Sequence, residues 1–341
     1  MTVHRYSILT YRTKGANANV VYTFTNPDRL PNPRWNFGGG TTQAQGSTSG
    51  YTSGGAAGGS SVNTIDKFPF ASDANATDVG DLTQGRYWTT GQSSTASGYT
   101  SGGFPGPTNV IDKFPFASNA NATDVGDITQ ARHFLSGHSS TASGYASGGA
   151  TAFPGTPTVN TIDKFPFASN ANATDVGDLL TIKTSAAGQS SSSDGYSSGG
   201  GVPPLTPSTS NVIEKFPFAS DANASDVGDL SQARTSSSGQ NSATDGYTSG
   251  GISTEPATVN TIDKFPFASN ANATDVGDLT TLRNLICGQS STASGYTTGG
   301  PGPFISPTNV IDKFPFASNA NATDVGDLSQ ARIYRPAGQQ V

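Results

Sequence analysis

The chain has 341 residues, with 42 Gly, 21 Pro and a single Cys, and its formal net charge is −6 at pH 7. Lys and Arg together number only 18, so no basic field is available to neutralise a phosphate backbone, and nucleic acid is excluded as a partner. Apolar stretches are a few residues long, against the roughly 20 that cross a bilayer, and residues 1–15 lack the apolar core of a secretory signal. We therefore expect neither membrane insertion nor Sec-type export, and one Cys excludes an intramolecular disulfide framework.

Residues 1–40 precede the repeated part of the chain and have the pattern of a β-hairpin or an extended arm. Residues 6–11 alternate like a strand, residues 14–17 are turn-like, and residues 20–24 are β-branched and aromatic. A two-stranded hairpin is marginally stable by itself, so we expect this arm either to pack on its own propeller or to dock on another subunit. The side chains predicted to dock are Tyr6, Ile8, Tyr11, Tyr22 and Phe24.

A run reading Ile-Asp-Lys-Phe-Pro-Phe-Ala-Ser recurs six times after residue 64, with Glu for Asp in the fourth copy. Successive copies are 46, 51, 51, 49 and 49 residues apart, a period typical of four-stranded propeller blades. Each copy is rich in Gly, Ser, Thr, Pro and Asn and lacks the apolar spacing of helical repeats. The sequence therefore predicts an all-β fold, a six-bladed β-propeller over residues 41–341. The acidic residues of the copies are Asp66, Asp112, Asp163, Glu214, Asp263 and Asp312.

Spacing within each copy separates rigid segments from a variable one. The acidic residue always precedes a basic residue by 20 positions, as Asp112 precedes Arg132. From the Tyr of each Gly-Tyr pair to the next acidic residue the distance varies from 13 to 18, so length variation is concentrated in one loop that follows a Gly-Gly pair. In the second copy we predict strands over residues 86–94, 97–102, 109–117 and 123–128. Pro115 lies within the third of these strands and has no N–H to donate to the ladder, so we expect that strand to bulge, end or lack a partner there.

Closing a ring of six blades requires an innermost strand for the first blade. Residues 34–45 could supply it, and so could residues 332–341, where Gly338 and Gln339 repeat the Gly-Gln pattern of the other copies with one extra residue. Closure by the last strand would clamp both ends of the propeller together and remove open sheet edges. We therefore predict that residues 332–341 close the ring.

The order of a Gly-Gly pair, a long variable loop, a third strand and a closing Leu-x-x-Ala-Arg resembles kelch repeats over about residues 46–341. Val79 and its equivalents lie where kelch repeats usually carry Trp, so the resemblance is to a divergent, kelch-like blade.

The run Asp-Lys-Phe-Pro-Phe-Ala-Ser-x-Ala-Asn-Ala-Thr-Asp-Val-Gly-Asp-Leu also resembles repeats in virion and tail-associated proteins of marine bacteriophages, including those of cyanobacteria. This resemblance implies a non-enzymatic structural or adhesion protein of the virion, assembled in the host cytoplasm. It implies a place on a tail, a fibre or the head, with the arm contacting other virion proteins.

Each copy carries the same large aromatic side chains, which could be contacts between blades or exposed rows that stack on sugars. We favour burial, because the chain has few other groups to fill a core. The phenylalanines predicted to form this core are Phe68, Phe114, Phe165, Phe216, Phe265 and Phe314.

The variable loops are the predicted contact surface, because surface loops can change without disturbing the scaffold. Their partner would be a host surface protein or glycan. The alternative function is a carbohydrate-binding propeller module. The loop side chains predicted to make contact are Phe104, Phe153, Leu205, Ile252 and Phe304.

No pattern indicates catalysis or a cofactor. The three histidines, His4, His133 and His138, are scattered, and His138 stands where most other copies have Gln. No Gly-x-Ser-x-Gly elbow sits at a strand-to-helix turn.

Residues 73–81 faintly resemble a calcium loop but lack its Gly and Glu positions. We favour the alternative, that Asn and Asp of this run hydrogen-bond their own backbone to hold a turn. The Asn-x-Thr patterns there also match N-glycosylation acceptors, an interpretation that we do not favour without a secretory signal.

Overall fold

The computed structural model describes residues 45–153, 157–202, 209–253, 257–301 and 306–341. These residues form six four-stranded antiparallel sheets, the blades of a β-propeller, and one short hairpin, which confirms the predicted all-β fold and its six blades. The predicted docking arm, with its five named side chains, and the loop residues Leu205 and Phe304 lie outside the described residues. Within the described ranges no helix is long and apolar enough to cross a membrane.

Each blade has four strands, which follow one another from the axis outward. Blade 1 has Ala337–Gln340, Ser49–Ser53, Thr64–Pro69 and Thr77–Asp81; blade 2 has Thr90–Ser93, Ser97–Ser101, Val110–Pro115 and Thr123–Asp127; blade 3 has Ser136–Ser139, Ser143–Ser147, Thr161–Pro166 and Thr174–Asp178; blade 4 has Ala187–Ser190, Asp194–Ser198, Val212–Pro217 and Ser225–Asp229; blade 5 has Ser238–Asn241, Asp245–Ile252, Thr258–Pro266 and Thr274–Asp278; blade 6 has Cys287–Ser290, Ser294–Thr298, Thr308–Pro315 and Thr323–Arg332. The short hairpin pairs Ala56–Ala57 with Ser60–Ser61.

The strands of blade 2 agree with the predicted bounds to within two residues, except at the start of the first strand. That strand begins at Thr90 rather than at residue 86, because Trp88 has a φ of 54°, in the left-handed region where an extended strand cannot continue. The third strand ends at Pro115, which has no N–H to extend the ladder.

The innermost strand of blade 1 is Ala337–Gln340, which confirms the prediction that residues 332–341 close the ring. It pairs antiparallel with Ser49–Ser53, with Gln339 opposite Tyr51. It also contacts the innermost strands of blades 2 and 6, so the innermost strands form a closed circle. Blade 1 therefore contains both the first and the last strand of the propeller.

The strand order gives the propeller two distinct ends. At the loop end lie the loops between second and third strands and the links that lead from one blade to the next. At the turn end lie the turns between first and second strands and the connections between third and fourth strands. All the loops of variable length are consequently at the loop end.

The hydrophobic core is divided into six clusters, one at each junction between neighbouring blades. Between blades 2 and 3, Tyr99 and Ile111 pack against Phe165, whose ring centroid is 5.5 Å from that of Tyr99. The other junctions repeat this arrangement with the equivalent residues. The six phenylalanines predicted as core are each at most 2 % exposed.

Two glycine positions of the repeat allow this close packing. A Cβ atom on Gly144 would lie 2.3 Å from the ring of Phe165, so the Gly of each Gly-Tyr pair makes room for the core phenylalanine. On the axis, a Cβ atom on Gly137 would lie 2.3 Å from the carbonyl oxygen of Gly91 in the preceding blade. Glycine thus sets how closely the innermost strands approach one another.

A buried ion pair joins the third strand of each blade to the link that leads into that blade. Arg234 Nη2 lies 3.0 Å from Asp263 Oδ2, and both side chains are fully buried. The hydroxyl of Ser231 donates to the other oxygen of the same carboxylate at 2.7 Å. The six pairs are Arg332–Asp66, Arg86–Asp112, Arg132–Asp163, Lys183–Glu214, Arg234–Asp263 and Arg283–Asp312.

Candidate functional site: an aromatic cluster at the loop end

Each link between blades turns at a residue with a left-handed backbone, two positions after the basic residue of the ion pair. Its φ lies between 50° and 65° in all six links. Backbone hydrogen bonds join these residues into a circle around the axis, as when the Phe134 N–H donates to the Trp88 carbonyl at 3.0 Å. The link to blade 1 contributes two residues to the circle. The Tyr334 carbonyl accepts from the Trp88 N–H, and the Arg335 N–H donates to the Leu285 carbonyl.

Three neighbouring links carry an aromatic residue at this turn, namely Tyr334, Trp88 and Phe134. The ring centroids of Trp88 and Phe134 are 4.2 Å apart, and those of Trp88 and Tyr334 are 5.8 Å apart. The other three links have Ser or Leu at the same position. The rings are therefore confined to one sector of an otherwise repetitive circle.

Side chains of two variable loops complete this group. The backbones of Phe104 and Tyr87 are joined by two hydrogen bonds of 2.9 Å, and the Phe104 ring lies 5.4 Å from Trp88. Phe153 lies parallel to Trp88, with 6.0 Å between centroids and 7° between planes, and it is 60 % exposed. The aromatic cluster, as we call it, consists of Tyr87, Trp88, Phe104, His133, Phe134, Phe153 and Tyr334.

Of the predicted contact residues, the structure brings Phe104 and Phe153 together. Ile252 lies in blade 5, where its backbone pairs with Thr235, and it is not part of the cluster. The link residues of the cluster were not among the predicted contact residues. The sequence does contain a pattern that identifies these link residues. Aromatic residues follow the basic residue of the ion pair in the links to blades 1, 2 and 3, and not in the other three links.

The two described histidines have different roles. His133 is buried in the aromatic cluster, and its ring lies 5.4 Å from that of Trp88 at an interplanar angle of 28°. His138 occupies the Gln position of an innermost strand, where Nε2 lies 2.9 Å from Ser147 Oγ and Nδ1 lies 3.2 Å from the Gln189 carbonyl. In the other blades Gln reaches a neighbouring blade in a similar way, as Gln92 donates to the Tyr145 carbonyl at 3.0 Å.

We expect His138 to make the propeller sensitive to acid. Burial lowers its pKa from 6.5 to about 4, so it stays neutral when folded while the unfolded chain takes up a proton. Its contribution to the free energy of unfolding is therefore complete above pH 6.5 and is lost as the pH falls toward 4. His138→Gln should recover about 2 to 3 kcal/mol relative to wild type at pH 4.5 and little at pH 7.5. Urea denaturation of both proteins at the two pH values measures this, and an identical loss of stability in both would contradict it.

The Asn and Asp residues of the predicted turn segment bond to backbone. Asp78 Oδ1 accepts from the Gly80 N–H at 3.1 Å, the local turn that was predicted. Asn121 Oδ1 instead accepts from the Asp81 N–H of the preceding blade at 3.0 Å, a bridge between blades that repeats around the ring. Within the described ranges no three His, Cys, Asp or Glu side chains converge on a point that could hold a metal ion.

The axis of the propeller has little free space. Two cavities of about 60 Å³ each lie on it, one lined by the Ser93 and Gln340 end of the innermost strands and the other by Thr89, Cys287 and Arg335. A space of this size holds a few water molecules and no sugar. The aromatic cluster, by contrast, reaches the surface at Phe153.

Comparison with known proteins gives no matching family model and no matching curated sequence.

Proposed function

We propose that the protein is a non-enzymatic adhesion module of a phage particle, in which a kelch-like propeller presents its loop end to a partner on a host surface. The observation that carries this proposal is the aromatic cluster, which is exposed at Phe153 and interrupts the regularity of the ring in a single sector. Aromatic side chains dominate the binding energy of many protein interfaces. An asymmetric group of rings is therefore a suitable anchor for one partner.

The scaffold beneath the cluster is suited to this role. Hydrogen bonds fix the backbones of Trp88, Phe134 and Phe104, and the Trp88 ring packs against the rings of the other two. Rings that are already held in place lose little conformational entropy on binding, which favours affinity. The adjoining loops differ in length from blade to blade, so the surface around the cluster can vary while the blades stay the same.

The proposed place in a virion rests on the resemblance of the repeated run to phage virion and tail-associated repeats. We propose a tail, fibre or head-decoration component whose residues 1–40 dock on other virion proteins. Deletion of residues 1–30 should then leave a folded propeller that no longer incorporates into particles. Normal incorporation of the deleted protein would contradict the docking role.

A second candidate function is binding of a host glycan. It is favoured by Phe153, which lies parallel to Trp88 and is 60 % exposed, because a flat exposed ring can stack on the apolar face of a sugar. In this version the cluster would recognise a sugar ring rather than a protein side chain.

The binding test uses the fluorescently labelled full-length chain on a panel of marine cyanobacterial strains and on a glycan array. Phe153→Ala should lower binding about tenfold or more, the effect of losing one interface anchor. Leu282→Ala is the matched control, because Leu282 is also an exposed apolar residue, at 46 %, and lies in a link that has no aromatic residue at its turn. Equal binding by wild type and Phe153→Ala would overturn the role of the cluster. A glycan-array signal that Phe153→Ala loses assigns a sugar, whereas cell binding without any array signal assigns a protein partner.

A further inference from the structure

Arg335 is a residue that the repeat does not require. The axial glycine lies five positions after the basic residue of the ion pair in the other links, as Gly137 follows Arg132, whereas Gly338 lies six positions after Arg332. The added position places a charged side chain where no other blade has one. Its presence therefore calls for an explanation beyond the scaffold.

The side chain of Arg335 lines the axial cavity of about 60 Å³ near the loop end. It is 7 % exposed, and Nη2 donates to the Ala186 carbonyl. Nη1 is buried without a hydrogen-bond partner among the described residues, and so is the hydroxyl of Thr89, which lines the same cavity. Two residues that line the cavity thus carry unsatisfied hydrogen-bonding groups, one of them cationic.

The charge of Arg335 is also uncompensated in the part of the chain that the structure describes. The acidic residues of the six repeats each pair with their own Arg or Lys, and none of the ion pairs of the described residues includes Arg335. Burial lowers the pKa of Arg335 to about 10, which leaves it charged at neutral pH. A buried cation without a counter-charge is strongly destabilising.

We propose that this cavity binds one small monovalent inorganic anion, such as chloride, between Arg335 Nη1 and the Thr89 hydroxyl. The anion supplies the missing negative charge and accepts from both unsatisfied donors. A halide with an accompanying water molecule fits the volume of about 60 Å³. Thr90, Ser238 and Cys287 also line the cavity, but no Asp or Glu does, so the guanidinium meets no carboxylate there and is the dominant recognition group.

The first experiment compares melting temperatures of the full-length protein in sodium chloride and in sodium gluconate at the same ionic strength. Gluconate is too large for the cavity, so the comparison separates binding from general screening. Wild type should melt at a higher temperature in chloride, with a saturable dependence on chloride concentration. Arg335→Gln should show no difference between the salts. Lys215→Gln, which removes a surface charge of blade 4, should keep the difference shown by wild type.

The second experiment locates the ion by anomalous scattering from crystals of the wild type grown in sodium bromide. A bromide peak within about 3.5 Å of Arg335 Nη1, together with chloride-dependent melting, supports the site. Absence of the peak overturns it, whether or not Arg335→Gln folds. A peak without any difference between chloride and gluconate would indicate an adventitious ion only and would equally overturn it.

Discussion

Removing residues 337–341 is expected to abolish the cooperative unfolding transition of the propeller. The deletion takes away the innermost strand of blade 1 and exposes the backbone edge of Ser49–Ser53, which is otherwise fully paired and buried. It also removes the bond from Gln339 Nε2 to the Tyr99 carbonyl of blade 2, 2.9 Å long, so the ring opens at the junction of blades 1 and 2. We expect a loss of about 5 kcal/mol or more, comparable with the whole stability of a typical domain, and association through the open edge.

A deletion of equal size from a variable loop provides the control. Tyr196 and Glu214 are 18 positions apart, whereas Tyr99 and Asp112 are 13 apart, so removing residues 203–207 gives blade 4 the spacing that blade 2 already has. The loop variant should unfold near the wild-type temperature. Differential scanning calorimetry and sedimentation velocity report cooperativity and association, and a monomeric 1–336 chain with a sharp transition would show that closure by the last strand is dispensable.

Phe165→Ala should destabilise the propeller by about 3 to 5 kcal/mol, because truncating a buried aromatic ring removes its transfer free energy and leaves a cavity. Phe165 is 1 % exposed and lies between blades 2 and 3, against Tyr99 and beside Gly144. Gly144, which lies against the ring, has no side chain that could fill the space. The substitution therefore weakens a junction rather than a single sheet.

Phe153→Ala is the matched control for this substitution. It makes the same chemical change at a ring that is 60 % exposed, so its effect on the free energy of unfolding should stay within about 0.5 kcal/mol. Guanidinium denaturation followed by far-ultraviolet circular dichroism measures both variants. If Phe165→Ala unfolded at the wild-type midpoint, the junction clusters would not be what holds the blades together.

Three features could be predicted because they follow from repetition: the all-β fold class, the number of blades and the position of the variable loops. Six copies with a fixed internal spacing allow one blade to be inferred from the others, and insertions tolerated at one point mark a loop. The repeated phenylalanines could be assigned to the core for the same reason, since Phe165 and its equivalents are the large side chains that every unit has.

Contacts across the boundary of a repeat could not be inferred from spacing along the chain. The constant distance from Asp112 to Arg132 suggests one rigid block, yet Arg132 pairs with Asp163 of the next copy. The bridge from Asn121 to the preceding blade is hidden in the same way, because a turn signal describes only local bonds. Phe104 and Phe153 of the aromatic cluster were predicted as contact residues, whereas Trp88 and Phe134 were not, because they lie in links whose residues differ between copies.

The two ends of the propeller meet within a single hairpin. The Val341 N–H donates to the Ser49 carbonyl at 3.0 Å, as the Ser94 N–H donates to the Ser97 carbonyl at 2.9 Å in the first turn of blade 2. Ser47 N lies 2.9 Å from the Val341 oxygen, so Val341 and Ser47 occupy consecutive places of an ordinary turn. A peptide bond between Val341 and Ser47 would give blade 1 a continuous turn between its first and second strands, as in the other five blades. The polypeptide from Ser47 to Val341 could then be circularly permuted, with new termini cut into the corresponding turn of any other blade, and only the bonds from Gln45 and Gly46 to blades 5 and 6 would be lost.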